Sequence, residues 1–188
     1  MVYLAAQIAY IIEDLHKNNI VHRDIKLENF IYNPTTGKVT IIDFGFAVNL
    51  PSLDVRLKIP YGTKFYMAPE MHDEKEYSYD VDWYAYGCLV HQLFFQIPME
   101  IPFYDIRETL EGNQDVGMNL ISHCTEPKSA NRIKNLEMMK EYPIFDDINW
   151  EDFELSDDSQ NTPRKMSIKN STENDFEINQ ARSAVWNF

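Results

Sequence analysis

Across residues 1–19 the large apolar side chains Leu4, Ile8, Ile11 and Leu15 recur at helical spacing, with Gln7, Glu13, Asp14 and Lys17 between them. That pattern predicts a helix. The period then changes. Ile20-Val21 is a short apolar run, and Phe30-Ile31-Tyr32 and Val39-Thr40-Ile41-Ile42 are two β-rich runs separated by Asn33-Pro34-Thr35-Thr36-Gly37-Lys38. Pro and Gly in that spacer mark a tight connection, so the two runs are predicted to form a hairpin. After Phe153 the pattern stops: residues 154–180 are rich in Ser, Asp, Asn and Thr, a composition that buries too little to fold.

The polar residues that interrupt the first half carry the chemistry. His22-Arg23-Asp24 is followed by Lys26 and Asn29, and Asp43-Phe44-Gly45 arrives directly after the hairpin. The hairpin sets Asn29 and Asp43 at neighbouring strand ends, where two side chains can share metal ions. Asp-Phe-Gly alone is a common turn tripeptide. Joined across a hairpin to H-R-D-x-K-x-x-N it is specific. Phosphoryl transfer needs a hydroxyl held in line, metal ions bridging phosphates, and cationic cover for the moving group. An Asp, an Asn, a second Asp and a Lys supply those parts.

The pattern resembles the catalytic core of the eukaryotic protein kinases. Gly62-Thr63-Lys64-Phe65-Tyr66-Met67-Ala68-Pro69-Glu70 resembles the end of the kinase activation loop, and Asp80-Val81-Asp82-Trp83-Tyr84-Ala85-Tyr86-Gly87 the start of the long central helix. Asn119-Leu120-Ile121, Cys124 and Lys128-Ser129-Ala130-Asn131-Arg132-Ile133 resemble the segment near the end of the C-terminal lobe. The resemblance covers about residues 1–153. It implies Asp24 as the group that orients the substrate hydroxyl and accepts its proton late. It implies Lys26 as the cation at the γ-phosphate of ATP, tied with Asp24 by the Thr63 hydroxyl, and Asn29 and Asp43 as ligands of Mg²⁺. Ile31 is implied as the floor beneath ATP. Architectural roles follow too: a buried Glu70–Arg132 ion pair, and His22 packed beneath Phe44 and anchored from the central helix by Asp82. Lys26 with Thr63 is the Ser/Thr arrangement. Tyr142-Pro143-Ile144-Phe145 through Trp150 and Phe153, with Asp43-Phe44-Gly45-Phe46-Ala47, is similar to the cyclic-nucleotide-dependent and related (AGC) kinases. Glu28 is placed as in kinases that contact a basic residue on the substrate.

Departures from that pattern are equally informative. The position of the AGC activation-loop phosphothreonine is Ile59, so Arg23, which usually partners that phosphate, needs another. Ser52 and Tyr61 are the remaining loop hydroxyls besides Thr63, and neither is at the expected spot. The stretch from Phe95 to Gly117 is shorter than usual, and the AGC tail motifs are not recognisable. No Gly-rich loop and no V-A-I-K-type strand is present, and Lys17 and Lys26 cannot stand in. The expectation is a chain without the N-terminal β lobe. It would have no roof over ATP and would transfer phosphate poorly or not at all alone, because positioning is worth about 7–11 kcal/mol in well-oriented systems.

Composition narrows the partners. A formal charge of −13 argues against a nucleic-acid surface and favours basic partners or peptides. Cys88 and Cys124 sit in apolar helical patterns and match no metal spacing, so they are expected as core thiols in a reducing compartment, and the chain as cytoplasmic with the nucleus left open. His16, His72, His91 and His123 show no ligand spacing. There is no membrane-spanning segment, and Met1–Ile12 runs into Glu13-Asp14 without a cleavage signal. The expected architecture is a mainly α kinase-like C-terminal lobe over 1–153 with a β-hairpin at the cleft. An acidic, disordered tail over 154–188 follows, in which Thr162, Ser167 and the closing Val185-Trp186-Asn187-Phe188 are the only features. The expected function is ATP- and Mg²⁺-dependent phosphorylation of protein Ser/Thr, with a missing N-terminal lobe or a regulatory protein as partner. The alternative is a non-catalytic, kinase-like binding module or short regulatory isoform.

Overall fold

The computed structural model describes residues 1–97 and 116–154, to which every structural statement below refers. Helix α1 spans Val2–Lys17 and buries Ala5, Ile8, Ala9 and Ile12 completely, with Leu15 and His16 following on the same face. Leu4 and Ile11, the other large residues of the helical pattern, are half-buried and pack at the edge of the core. The reason is that alanine counts as apolar surface without announcing itself. A stripe drawn through the large residues alone is rotated from one drawn through Ala5 and Ala9, whose small side chains let the helix approach its neighbours closely.

The predicted hairpin forms as strands β2 (Phe30–Asn33) and β3 (Lys38–Ile41), antiparallel, with Phe30 opposite Ile41 and Asn33 opposite Lys38. The turn is closed by the Asn33 Oδ1, which accepts the amides of Thr35 and Thr36, and Gly37 supplies the left-handed φ of 69°. Gln7, which looks like an interruption of the α1 pattern, is nearly buried and clamps the hairpin. Its Nε2 donates to the Gly37 carbonyl at 2.8 Å and its Oε1 accepts the Val39 amide at 3.1 Å. A smaller ladder joins β1 (Ile20–Val21) to β4 (Val48–Asn49), bringing the segment after Asp43-Phe44-Gly45 back beside the end of α1.

Short helix α2 (Pro69–His72) leads to the central helix α3 (Val81–Phe95), which is buried on every side from Val81 to His91. Tyr86 donates to the Ala5 carbonyl at 3.1 Å, fixing α3 to α1. On the opposite side α3 meets α4 (Val116–Cys124), and a Cβ at Gly87 would lie 2.6 Å from the Cys124 Cβ, so only glycine permits this crossing. Cys88 and Cys124 are buried free thiols, as expected, with burial raising both their pKa values. Helix α5 (Leu136–Lys140) is capped by Asn135 and also receives Glu13 from α1 at the Leu136 amide. Helix α6 (Glu151–Glu154) returns Phe153 to the rings of Tyr3 and Tyr10, at centroid distances of 5.2 and 5.7 Å. The result is mainly helical with two small antiparallel sheets, in line with the expected class. The short Phe95–Gly117 connection falls largely outside the described residues, as does nearly all of the 154–188 tail.

The most polar part of the interior is organised by Arg132, which is 1% exposed. It makes a bidentate pair with Glu70 (2.7 and 3.0 Å), reaches Asp80 at 3.3 Å, and donates to the Glu126 carbonyl. The pairing with Glu70 is the one the kinase resemblance implies; Asp80 and Lys134, 2.8 Å apart, extend it into a network. Burial works to raise the Asp80 pKa, but the Arg132 and Lys134 charges and the Lys134 and Ser129 hydrogen bonds outweigh it and hold the carboxyl below its ordinary value.

Two outcomes follow. Arg132→Met, measured by urea denaturation, is expected to lower stability by about 3–5 kcal/mol because Glu70 and Asp80 lose their buried partner. Asp80 binds its proton more weakly folded than unfolded, so its contribution is full well above pH 3.8 and drains away as pH falls through the depressed folded value. Asp80→Asn should therefore be less stable at neutral pH and show a shallower acid limb than the parent chain.

Candidate active site

The loop from His22 to Asn29 starts with a backbone that needs support: Arg23 has φ 66°, a left-handed conformation uncommon for a non-glycine residue. Support comes from Asp82, in the first turn of α3. Its Oδ2 accepts the His22 amide at 2.9 Å and its Oδ1 the Arg23 amide at 2.8 Å, while His16 Nε2 lies 3.0 Å from Oδ2. Asp82 is completely buried at the start of α3. The anchoring of His22 by Asp82 is thus made through the backbone. The His22 ring packs edge-on against Phe44 at 5.2 Å, and its Nδ1 accepts the Asp24 amide at 3.3 Å. Burial pushes the His22 pKa down, against the pull of Asp82 and Asp24, in keeping with a neutral ring that accepts at Nδ1.

Asp24, Lys26 and Thr63 form a closed triangle. The Thr63 hydroxyl donates to Asp24 Oδ1 at 2.7 Å and accepts from Lys26 Nζ at 2.8 Å, and Lys26 Nζ lies 3.0 Å from Asp24 Oδ2. Asn29 Nδ2 donates to the Asp24 carbonyl at 2.8 Å and to its Oδ2 at 3.1 Å. Burial of Asp24 works to raise its pKa, but the hydrogen bonds from Thr63, Lys26 and Asn29 prevail and keep it below the usual carboxylate range. Asp24 is therefore an anion at neutral pH, suited to orienting a hydroxyl and weak as a base until the hydroxyl oxygen loses its electrons to another centre.

Thr63 reaches this position because Gly62 precedes it. Gly62 has φ 126°, and a Cβ there would stand 2.2 Å from the Arg23 carbonyl oxygen. The loop that carries Thr63 thus rests directly on the loop that carries Asp24.

At the mouth of the hairpin the Ile42 amide donates to the Asn29 carbonyl at 2.8 Å, which sets Asp43 beside Asn29 across the strand ends. Asp43 is exposed, with φ 59°, and its Oδ1 accepts the Gly45 amide at 3.1 Å. The Asn29 amide nitrogen is spent on Asp24, which leaves its Oδ1 as the side-chain atom that could meet a cation. Among the described residues no group of three or more acidic, His or Cys side chains forms a metal cage. One carboxylate and one amide oxygen suit Mg²⁺, which commonly takes its remaining ligands from phosphate and water. Ile31 and Ile42 expose apolar surface on the adjoining strands, and Glu28 is exposed on the turn just before Asn29. Of the residues singled out by motif, hydrogen bonds join Asp24, Lys26, Asn29 and Thr63, and the hairpin register carries Asp43 to the strand end next to Asn29.

Others were missed. Arg23 turns its side chain to Phe46, Tyr61 and Tyr77, lying 4.6 Å from the centroid of the Tyr61 ring. Neither tyrosine follows from the catalytic motif. The one signal was the aromatic at Tyr61 immediately before Gly62. His16 was set aside for want of ligand spacing, because its partner Asp82 is 66 residues away in sequence.

The protein kinase domain family model matches residues 1–175. The cAMP-dependent protein kinase catalytic subunit of Arthrobotrys oligospora is 30% identical over 167 residues, 79% of this chain and 31% of that protein. The cAMP-dependent protein kinase type 3 of Saccharomyces cerevisiae is 30% identical over 166 residues, 79% of this chain and 40% of that protein. The G protein-coupled receptor kinase 4 of Rattus norvegicus is 30% identical over 177 residues, 82% of this chain and 30% of that protein. The chain spans about a third of the length of these relatives, whose names are those of AGC-type kinases. With the family model matching most of its residues, this chain belongs to the protein kinase family and is AGC-like.

Proposed function

We propose that the site transfers the γ-phosphoryl group of Mg·ATP to serine or threonine hydroxyls of protein substrates. The observation that carries this is the Asp24–Lys26–Thr63 triangle, in which one hydroxyl fixes a carboxylate and an ammonium within 3.0 Å of each other. Asp24 orients the incoming hydroxyl and takes its proton. Lys26 covers negative charge on the group in transfer, which a mobile lysine without the Thr63 contact would do less well. Asn29 and Asp43 would hold Mg²⁺, which neutralises charge on the phosphates when bound. Ile31 forms apolar floor for the nucleotide. Lys26 in partnership with Thr63 supports the Ser/Thr reading over a tyrosine one. Glu28, exposed on the same loop of a chain of charge −13, supports substrates with a basic residue near the acceptor. Unpaired buried thiols at Cys88 and Cys124 support a reducing, cytoplasmic setting.

Titration of the chain with Mg·ATP by calorimetry tests the reading, with Asp43→Ala as the control expected to abolish binding. In a phosphopeptide assay on basic peptides, Asp24→Asn is expected to lower the transfer rate by about 10²–10⁴-fold while leaving nucleotide binding in place. Glu28→Ala should reduce the preference for basic over neutral peptides. Absence of binding at millimolar nucleotide would mean that the chain carries these side chains as a kinase-like binding module.

A further inference from the structure

Arg23 is the residue whose usual partner, an activation-loop phosphate, has no acceptor side chain at Ile59. The structure shows what the guanidinium does instead. Its Nε donates to the Phe46 carbonyl at 2.6 Å, its Nη1 reaches the Tyr77 hydroxyl at 3.4 Å, and its central carbon lies 4.6 Å from the Tyr61 ring centroid. Phe46 stacks on the other aromatic partner, with its ring 5.8 Å from Tyr61 and inclined by 28°. Among the described residues no carboxylate lies within ion-pair distance of Arg23. The charge is met by a ring face, a carbonyl and a hydroxyl.

The loop is then tied at successive points. The Tyr77 hydroxyl that Arg23 reaches donates to the Ile59 carbonyl at 2.5 Å. Tyr77 and Leu57 exchange both backbone hydrogen bonds at 2.9 Å. Gly62 rests on the Arg23 carbonyl, and Thr63 enters the Asp24 triangle. A phosphate would draw these same pieces toward Arg23. Here an aromatic side chain at 61 does so with no modification.

We propose that Tyr61, whose ring meets the Arg23 guanidinium and stacks with Phe46, is a positioning residue that docks residues 53–63 without phosphorylation and so keeps Thr63 on Asp24 and Lys26. The docking itself stands on the contacts above; its bearing on catalysis rests on the phosphoryl-transfer reading.

Hydrogen exchange tests it on the full chain, with phosphatase treatment and intact mass establishing that no phosphate is present. The 53–63 amides of the parent chain should be protected, and Tyr61→Phe, which keeps the ring, should match it. Tyr61→Leu should speed exchange across 53–63 by about 2- to 30-fold, the range a cation over an aromatic face is worth, with α3 unchanged. An unprotected parent segment, or equal exchange in Tyr61→Phe and Tyr61→Leu, would overturn the proposal. If Tyr61→Leu also opens α3, Arg23→Lys decides, because lysine keeps the charge and loses the planar donor set. Selective opening of 53–63 in Arg23→Lys supports the tether, and parent-like exchange refutes it. A chain that shows the expected pattern yet binds no Mg·ATP keeps the tether and loses the transfer reading; the reverse result does the opposite.

Discussion

Asp82 is a carboxylate with no access to water, and its oxygens have to be satisfied from within the protein. Its donors come from two different places: the His16 ring at the end of α1 and the two successive amides of His22 and Arg23. Pointing both amides at one carboxylate demands the left-handed turn at Arg23. That turn in turn directs Asp24 inward to Thr63, Lys26 and Asn29, and sends the Arg23 side chain out to the loop aromatics. The geometry of the candidate site is a downstream effect of where a buried carboxyl group finds its hydrogen bonds.

Two residues earlier the same helix start presents Asp80 to a second cluster. Asp80 meets Arg132, Lys134 and Ser129, and Arg132 passes on to Glu70 at the end of the activation segment. The first turn of α3 therefore fixes both ends of the segment that lies between the catalytic loop and α2. One end is held through Asp82 and the Arg23 backbone, the other through Asp80 and the Arg132–Glu70 pair. Between these anchors the segment is held by the Tyr61 ring against the Arg23 guanidinium, by Tyr77 on the Ile59 carbonyl and by Gly62 on the Arg23 carbonyl.

Local pattern and motif carried a good part of this into view. The α1 helix and the hairpin with its Gly37 turn were legible because each depends on residues near one another in sequence, and the hydrogen-bonded set of Asp24, Lys26 and Asn29 and the α3 helix were legible through family likeness. The Glu70–Arg132 pair was legible through family likeness, being 62 residues apart. What escaped depends on long-range geometry with no local signature. The large apolar residues of α1 marked it as a helix, and the weak apolar signals Ala5 and Ala9 that complete its buried face went unread. Gln7 read as a surface residue, since nothing in a helical period announces that an amide will meet a strand 30 residues on. Tyr61 read only as a loop hydroxyl away from the expected position and Tyr77 went unread, since a cation–aromatic stack has no spacing rule.

Gln7 does more than bridge two backbone groups. By gripping Gly37 and Val39 it makes the hairpin a rigid extension of α1, the helix whose other end supplies His16 to Asp82. The strand ends bearing Asn29 and Asp43, and the loop bearing Asp24, are thereby referenced to one axis. Thermal motion that tilts α1 carries both sets of atoms together and leaves their separation nearly constant. A single helix acts as the ruler for a site to which it contributes no reacting atom.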